Sequence, residues 1–420
     1  MKVTVIKGFS DILPGEVETW QRVEREARKI FAAYNFAEIR IPIVEKTELF
    51  SRTLGETTDI VEKEMYTFAD QDAKGSLLTL RPEGTAGVVR AYVQAELFKT
   101  EPVQKLYYFG PMFRRERPQK GRMRQFHQIG AEVLGRSDPF IDAEVLLLLN
   151  DFFSAAGIES VLQLNSLGCS DCRPKYRQLL LRFLTERQEA LCANCRRRME
   201  RNPLRVLDCK EPGCIEQTKN APSILESLCD LCRQHFDTVQ RLLRQSAVGY
   251  DLNPRMVRGL DYYCRTTFEW TSDQLGSQSA IAAGGRYDGL VQELGGPPIA
   301  GVGFAMGIER LTMLLHSKTN SAPVGPVVYT VWVGENARDW AFPVVHRLRQ
   351  RGLSIEIEGE FRSLKSQMRR ADKLNASSVL IIGDNELDRG VALLRDMGSR
   401  QQSEISLNDV EEALLSRKAN

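Results

Sequence analysis

The sequence predicts an α+β fold in three parts: a long first region mixing strands and helices, a helical segment inserted into it, and a separate C-terminal α/β domain. Three observations carry this. Phe113 to Gly135, FRRERPQKGRMRQFHQIGAEVLG, has strand-forming residues on both sides of a cationic loop. Eight of the nine cysteines crowd between Cys169 and Cys232, where strand signals fade. After the polar stretch SKTNSAPVGP, Ser317 to Pro326, strand and helix patterns alternate to the end of the chain.

The hairpin is the organising feature. Between Arg114 and Arg124 lie six basic residues, Arg114, Arg115, Arg117, Lys120, Arg122 and Arg124, against the single acid Glu116, while the whole chain carries only +2. Pro118 to Gly121 supplies the turn, so the arginines sit at its tip. Along the second arm, alternation puts Phe126, Gln128, Gly130 and Glu132 on one face and Ile129, Ala131 and Val133 on the other, the core side. A ring, an amide, a missing side chain and a carboxylate beside an arginine tip form a floor for a small ligand joined to phosphates. A solvated basic hairpin is the alternative.

A chain of 420 residues accommodates two or three domains. The near-neutral balance excludes a protein whose whole surface binds nucleic acid, so any such contact rests on local patches. The longest aliphatic run, Val145 to Leu149, is too short to cross a bilayer, and the N-terminus lacks the apolar core of a secretory signal. The expected compartment is the cytoplasm. There thiols stay reduced, so nine cysteines point to metal binding or burial rather than to disulfides.

In chain order, Glu16 to Tyr34 has helical spacing of Val17, Trp20, Val23, Ala27 and Ile30, and Ala37 to Ile41 reads as a strand ended by Pro42. Leu49 to Phe68 reads as polar and irregular. Leu77 to Leu80 resumes a strand running into Arg81-Pro82-Glu83-Gly84-Thr85, where Gly84 allows backbone to approach a ligand; a plain helix cap at Thr85 is the alternative. Thr85 to Phe98 and Ala143 to Ala156 read as helices, the latter amphipathic, and Val161 to Leu164 as a strand. The cysteines form Cys169-x-x-Cys172, Cys192-x-x-Cys195, Cys209-x4-Cys214 and Cys229-x-x-Cys232, enough for two closed zinc sites, with reduced structural thiols as the alternative.

Beyond Cys232, Met256 to Trp270 joins a glycine-containing turn to a strand, and Ala280 to Leu290 supplies two adjacent glycines before Arg286, Tyr287 and Asp288. Gly301 to Leu315 is a small-residue strand entering a helix with Arg310. Gly301-x-Gly303 is followed by Gly307, one residue late for a dinucleotide loop, and no GxxxxGK[ST] occurs, so arginines must bind any phosphates. The C-terminal domain carries Arg362, Lys365, Arg369, Arg370 and Lys373 mostly on one helical side, a candidate RNA contact or a solvated face.

These blocks resemble class II aminoacyl-tRNA synthetases, most closely the histidine-specific branch found in bacteria. Phe113 to Glu132 is similar to class motif 2, Gly301 to Arg310 to motif 3, and Glu38 to Pro42 to motif 1, which forms the family's dimer interface. Two blocks peculiar to the histidine branch are present, from Arg258 to Tyr263 and from Gly284 to Leu290. The resemblance implies a catalytic domain of antiparallel sheet flanked by helices over 1–320, interrupted at 169–235 by the insertion. A linker at 317–326 and an α/β anticodon-binding domain over 327–420 complete the expected layout.

The implied chemistry is ATP-dependent activation of L-histidine to histidyl-adenylate, then transfer to the 3′ end of its tRNA, with magnesium accompanying ATP and no carboxylate assigned to it. By matching positions, Arg114 holds the α-phosphate, Glu116 the adenine amino group, Phe126 stacks on adenine, and Arg122 and Arg310 clamp the outer phosphates. Arg258 is the family's additional cation near the histidine carboxylate and the α-phosphate, and with Arg114 it is the expected catalytic group. Glu83, Thr85 and Gln128 match the α-amino contacts; Glu132 and Tyr263 would grip the imidazole nitrogens, with Tyr287 lining the pocket. His127 and Arg115 are left out because alternation turns them the other way. The competing readings are a non-catalytic regulatory relative serving histidine biosynthesis, a class II enzyme for another amino acid, and a pure RNA-binding module.

Overall fold

The apolar stripe of Trp20, Val23, Ala27 and Phe31 buries one side of α1 (Val17–Ala33). In the computed structural model, which describes residues 3–55, 58, 60–71, 75–118, 121–258, 260, 262–316 and 326–419, the chain divides into two units, 1–319 and 320–420. After α1 the first unit continues through β1 (Ala37–Glu38), β2 (Val44–Lys46), α2 (Thr47–Leu54), β3 (Tyr66–Ala69), β4 (Leu77–Leu80), α3 (Thr85–Gln94), β5 (Gln104–Phe113), β6 (Gln125–Leu134), α4 (Pro139–Ala156) and β7 (Val161–Ser166). Four helices follow: α5 (Cys172–Thr185), α6 (Ala193–Arg201), α7 (Pro212–Gln217) and α8 (Asp230–Gln245). The unit closes with β8 (Asp251–Leu252), β9 (Cys264–Thr271), β10 (Ala280–Arg286), α9 (Leu290–Glu293), β11 (Gly301–Gly307) and α10 (Ile308–His316).

Eight strands form one sheet in the order β1-β5-β6-β11-β10-β9-β7-β8, antiparallel except for the parallel pairs at its two edges. The basic segment is indeed the mouth of a hairpin: β5 and β6 pair from Gln104↔Leu134 to Phe113↔Gln125. Residues 119 and 120, part of the expected turn and including Lys120, lie outside the described residues, as does 317–325 of the expected linker. Ile129, Ala131 and Val133 join Phe31, Leu149, Phe153 and Val239 in the main core, so α1, α4 and α8 cover one sheet face and leave the other for a site.

Several local expectations change. The strand at 37–41 stops at Glu38 because the carbonyls of Ile41 and Pro42 are taken by the buried Arg81 guanidinium, at 2.7 and 3.2 Å from Nη1. Leu49 to Phe68 is not irregular: Leu49, Phe50 and Leu54 are buried in α2, and β3 pairs with β4 in a small sheet of order β2-β4-β3. The helix expected at 143 begins at Pro139, capped by Asp138 accepting from Phe140 N at 3.1 Å, and ends at the left-handed Gly157. It is buried on most sides rather than amphipathic, since it lies between the sheet, α1 and α8.

The second unit contains β12 (Val328–Val333), α11 (Glu335–Gln350), β13 (Ile355–Ile357), α12 (Leu364–Lys373), β14 (Ser378–Gly383), α13 (Asp384–Asp388), β15 (Val391–Asp396), β16 (Gln402–Ser406) and α14 (Val410–Leu415). Its sheet order is β13-β12-β14-β15-β16, in which β15 alone runs antiparallel to the other four strands. Arg362, Lys365, Arg369, Arg370 and Lys373 are all exposed, though Arg362 is paired with Glu360 at 2.8 Å.

One buried ionic group ties the first unit together. Arg286, with no exposed surface, pairs with Asp142 of α4, donates to the Arg136 carbonyl at 2.7 Å and to Asp288 at 3.1 Å; Asp142 also faces His235 Nε2 of α8 at 2.7 Å. Removing one partner strands the other charge in the core. Arg286→Ala is therefore expected to destabilise the first unit by about 3–5 kcal/mol in denaturant unfolding; a loss below about 1 kcal/mol would show that Asp142 is solvated by other means.

Candidate active site

On the open face of the sheet, β6 presents Phe126, Gln128 and Glu132 in the alternation expected. A cleft of about 430 Å³ lies over them, in the range of small-molecule sites. Glu83, Thr85, Arg114, Glu116, Arg122, Phe126, Gln128, Arg258, Tyr263 and Arg310 all line it. Ten residues spread over more than 220 positions thus reach one cavity. Glu132 and Tyr287 stand behind the wall rather than on it, 0% and 1% exposed.

The floor is built around Glu132. Its carboxyl accepts from Thr85 Oγ1 at 2.6 Å and from Tyr287 Oη at 2.5 Å, with Tyr108 Oη at 3.5 Å. Burial, opposed by the Thr85 and Tyr287 hydroxyls, raises it from 4.5 to about 8. Gly303 on β11 is what leaves room for it: a Cβ there would come within 1.8 Å of Glu132 Oε2. Glu83 is the true cap of α3, its carboxylate accepting from the amides of Thr85 at 2.7 Å and Ala86 at 2.8 Å, so Thr85 is free to reach Glu132. Gly84 is needed for packing, since a Cβ would lie 2.3 Å from the Tyr108 ring.

The cations come from three directions. Arg114, just past β5, donates from Nε to the Pro82 carbonyl at 2.9 Å and holds its guanidinium 5.1 Å from the Phe126 ring centre. Arg258 pairs with Glu269 of β9 at 2.6 Å and lies 5.7 Å from the Tyr263 ring centre; its buried Nε has no partner among the described residues. Neighbouring 259 and 261 lie outside the described residues. Arg310 is anchored through Nε on the Gly121 carbonyl at 3.3 Å and through Nη1 on the Ala280 carbonyl. Burial, then the charges of Arg122 and Arg114, push its pKa down, which is the electrostatic mark of cations converging on one space. An anion entering the cleft relieves that repulsion. Glu116 meanwhile bridges to Arg122 at 3.3 Å.

Residues missed by sequence reasoning also line the cleft. Glu269 follows from alternation, since Phe268 and Trp270 on either side are core residues. Arg205 comes from the turn after α6, and nothing in its local pattern marks it. His127 is absent from the lining; its Nδ1 faces Glu309 at 3.1 Å and its ring lies edge-on to Trp20. Arg115 spends its amide on the Glu64 carbonyl at 2.6 Å.

A family model described as histidyl-tRNA synthetase matches residues 8–311. The chain belongs to the histidyl-tRNA synthetase family. A second model, described as anticodon binding domain, matches residues 327–417. A histidine–tRNA ligase of Syntrophotalea carbinolica is 56% identical over 418 residues, 99% of each chain, and one of Geobacter sulfurreducens is 55% identical, covering 98% of this chain and 99% of its own. The crystal structure of apo histidyl-tRNA synthetase from S. aureus superposes with a TM-score of 0.83 at 32% identity, over 98% of this chain and all of that one. Within this family the fold expectation stands: an antiparallel-rich sheet with helices, and a C-terminal domain of the anticodon-binding type.

The Glu132 carboxyl makes a stability signature. Below about pH 4.5 it is protonated in both states; between 4.5 and about 8 the folded, ligand-free protein keeps a proton that the unfolded chain has lost. Its contribution to stability therefore falls as pH rises through that window and levels off above it. Glu132→Gln is expected to gain on the wild type between pH 5 and pH 9 by on the order of 3–5 kcal/mol in denaturant midpoints. Parallel pH profiles for the two proteins would mean that Glu132 is ionised throughout.

Proposed function

We propose that this chain couples cleavage of ATP to AMP and pyrophosphate with formation of histidyl-tRNA. The carboxylate oxygen of L-histidine attacks the α-phosphorus of ATP, the bond to pyrophosphate breaks, and the histidyl group of the adenylate then passes to the 3′ end of tRNA(His), releasing AMP. The observation that supports this most is the convergence of Arg114, Arg258 and Arg310 on one cleft above the Gln128–Glu132 strand.

In this reading Arg114 and Arg258 meet the α-phosphate, where negative charge builds on the equatorial oxygens, and fixed guanidinium groups stabilise it without reorganising. Arg122 and Arg310 hold the outer phosphates. Phe126 stacks on adenine while Glu116 accepts from its amino group. The α-amino group of histidine goes to Glu83, Thr85 and Gln128, whose Oε1 has no partner among the described residues. Glu132 and Tyr263 take the imidazole nitrogens, with Tyr287 fixing Glu132 from behind.

Magnesium enters with ATP and neutralises its phosphates. Among the described residues no three carboxylate or histidine groups close on a point in the cleft, so such an ion would keep phosphate oxygens and water as most of its ligands. Zinc belongs to the proposal as a structural ion of the insertion, apart from the reacting groups. The basic face of α12 is the proposed anticodon-side contact, and a homodimer through the 38–42 segment fits the position of β1 at a sheet edge. No helix among the described residues is long and apolar enough to cross a membrane, and the cytoplasm is the proposed compartment. A non-catalytic regulatory role is disfavoured by the retained arginines and by the match at 327–417.

Histidine-dependent ATP–pyrophosphate exchange tests the reading. The wild type should exchange with histidine and reject phenylalanine by roughly four orders of magnitude, because buried polar groups would be left unpaired. Arg258→Ala should fold normally and lose exchange by on the order of 3 kcal/mol, about a hundredfold. Near-normal exchange in that variant would remove Arg258 from the mechanism, and a wild type inert with every amino acid would favour the regulatory reading.

A further inference from the structure

We infer that the insertion binds two zinc ions, each enclosed by four cysteine thiolates: the first and fourth cysteine pairs hold one ion, and the second and third pairs hold the other. The fold nests the pairs in this way. The sulfurs of Cys169, Cys172, Cys229 and Cys232 all lie within 4.8 Å of one another, and so do those of Cys192, Cys195, Cys209 and Cys214. Among the described residues all nine cysteines carry free thiols, and the ninth, Cys264, stands outside both groups.

The spacing suits one tetrahedral ion. Zinc–sulfur bonds of about 2.3 Å place tetrahedral sulfurs about 3.8 Å apart; Cys169 Sγ is 3.7 Å from Cys172 Sγ and 3.9 Å from Cys229 Sγ. A polynuclear iron–sulfur cluster would need its cysteines spread around several irons. Backbone amides are already aimed at the sulfurs, two of them across pairs: Cys229 N donates to Cys172 Sγ at 3.1 Å and Cys192 N to Cys214 Sγ at 3.2 Å, while Cys195 N donates within its pair to Cys192 Sγ at 3.4 Å. Such donors stabilise thiolate charge around a metal. Cys172, Cys232, Cys195 and Cys214 are buried, so four protein ligands would close each site, as structural zinc requires.

The two ions would do different mechanical work. The first lies at the root of the insertion, between the end of β7 and the start of α8, where the chain leaves and rejoins the first domain. The second sits in the insertion's own small core with Tyr176, Leu180, Met199 and Val206. A core of that size gives little stability alone, and a metal cross-link supplies the missing constraint. The segment closed by the second site carries Arg205 to the wall of the cleft.

The test is metal content of the full-length protein, purified without added metal and washed with a mild chelator, by elemental analysis and native mass spectrometry. Two zinc ions per chain are expected, two in Cys264→Ser, and one each in Cys169→Ser and Cys192→Ser; cobalt substitution should give the visible bands of tetrahedral thiolate coordination. Should a serine variant fail to fold, stepwise mercurial titration of the wild type decides the pairing, because, Cys264 apart, the thiols modified as the first zinc leaves should all belong to one set of four. A single zinc per chain, no metal, iron with inorganic sulfide, disulfides, or modified thiols drawn from both sets would each overturn the inference.

Discussion

The carboxyl of Glu132, closed off from water, is the constraint on which the architecture around the cleft depends. A buried acid is tolerable only if every oxygen finds a donor. Here the donors come from the start of α3, through Thr85, and from the end of β10, through Tyr287, so two segments 200 residues apart are pinned to one point on β6. The same requirement explains Gly303, whose missing side chain is the space that the carboxyl occupies. It also explains why Glu83 rather than Thr85 caps α3: the threonine hydroxyl is committed elsewhere.

Around that floor, the cations are held by backbone carbonyls and by rings more than by free ion pairs. Arg81 organises the turn before α3 by donating to the Ile41, Pro42 and Pro111 carbonyls, and the adjoining Pro82 carbonyl then receives Arg114. Arg310 rests on two carbonyls. Guanidinium groups fixed by neutral acceptors keep their charge available to an incoming anion, whereas a full carboxylate partner must be displaced or shared. Arg258, which Glu269 already faces, and Arg122, bridged to Glu116, are the exceptions, and the buried Nε of Arg258 has no partner among the described residues.

Much of this was legible in the sequence, and the exceptions have physical reasons. The β5–β6 hairpin, the split of its two faces and the helix carrying Arg310 follow from alternation and periodicity, because one face of each is buried against a large core. The roles expected of Glu83, Thr85, Arg114, Arg258 and Arg310 come from the resemblance to family blocks, and the fold brings these residues to one cleft. The segment from Leu49 to Phe68 reads as irregular because its elements are short and its apolar residues are interrupted by polar ones, so that no helical or strand period is sustained. Arg205 was invisible for another reason: its place depends on how the cysteine-bearing helices fold over the cleft, which no local pattern encodes. The packing role of Gly84 was not legible because a glycine beside a neighbour's ring and a glycine beside a ligand look alike in one dimension.

The most direct measurement of the central claim is a crystal structure of the full chain with histidine and a non-hydrolysable ATP analogue. The expected density has the α-phosphate between Arg114 and Arg258, the outer phosphates against Arg310, adenine on Phe126, and the imidazole within hydrogen-bond distance of Glu132. A triphosphate bound away from Arg258 and Arg310, or an imidazole outside the Glu132 niche, would contradict it.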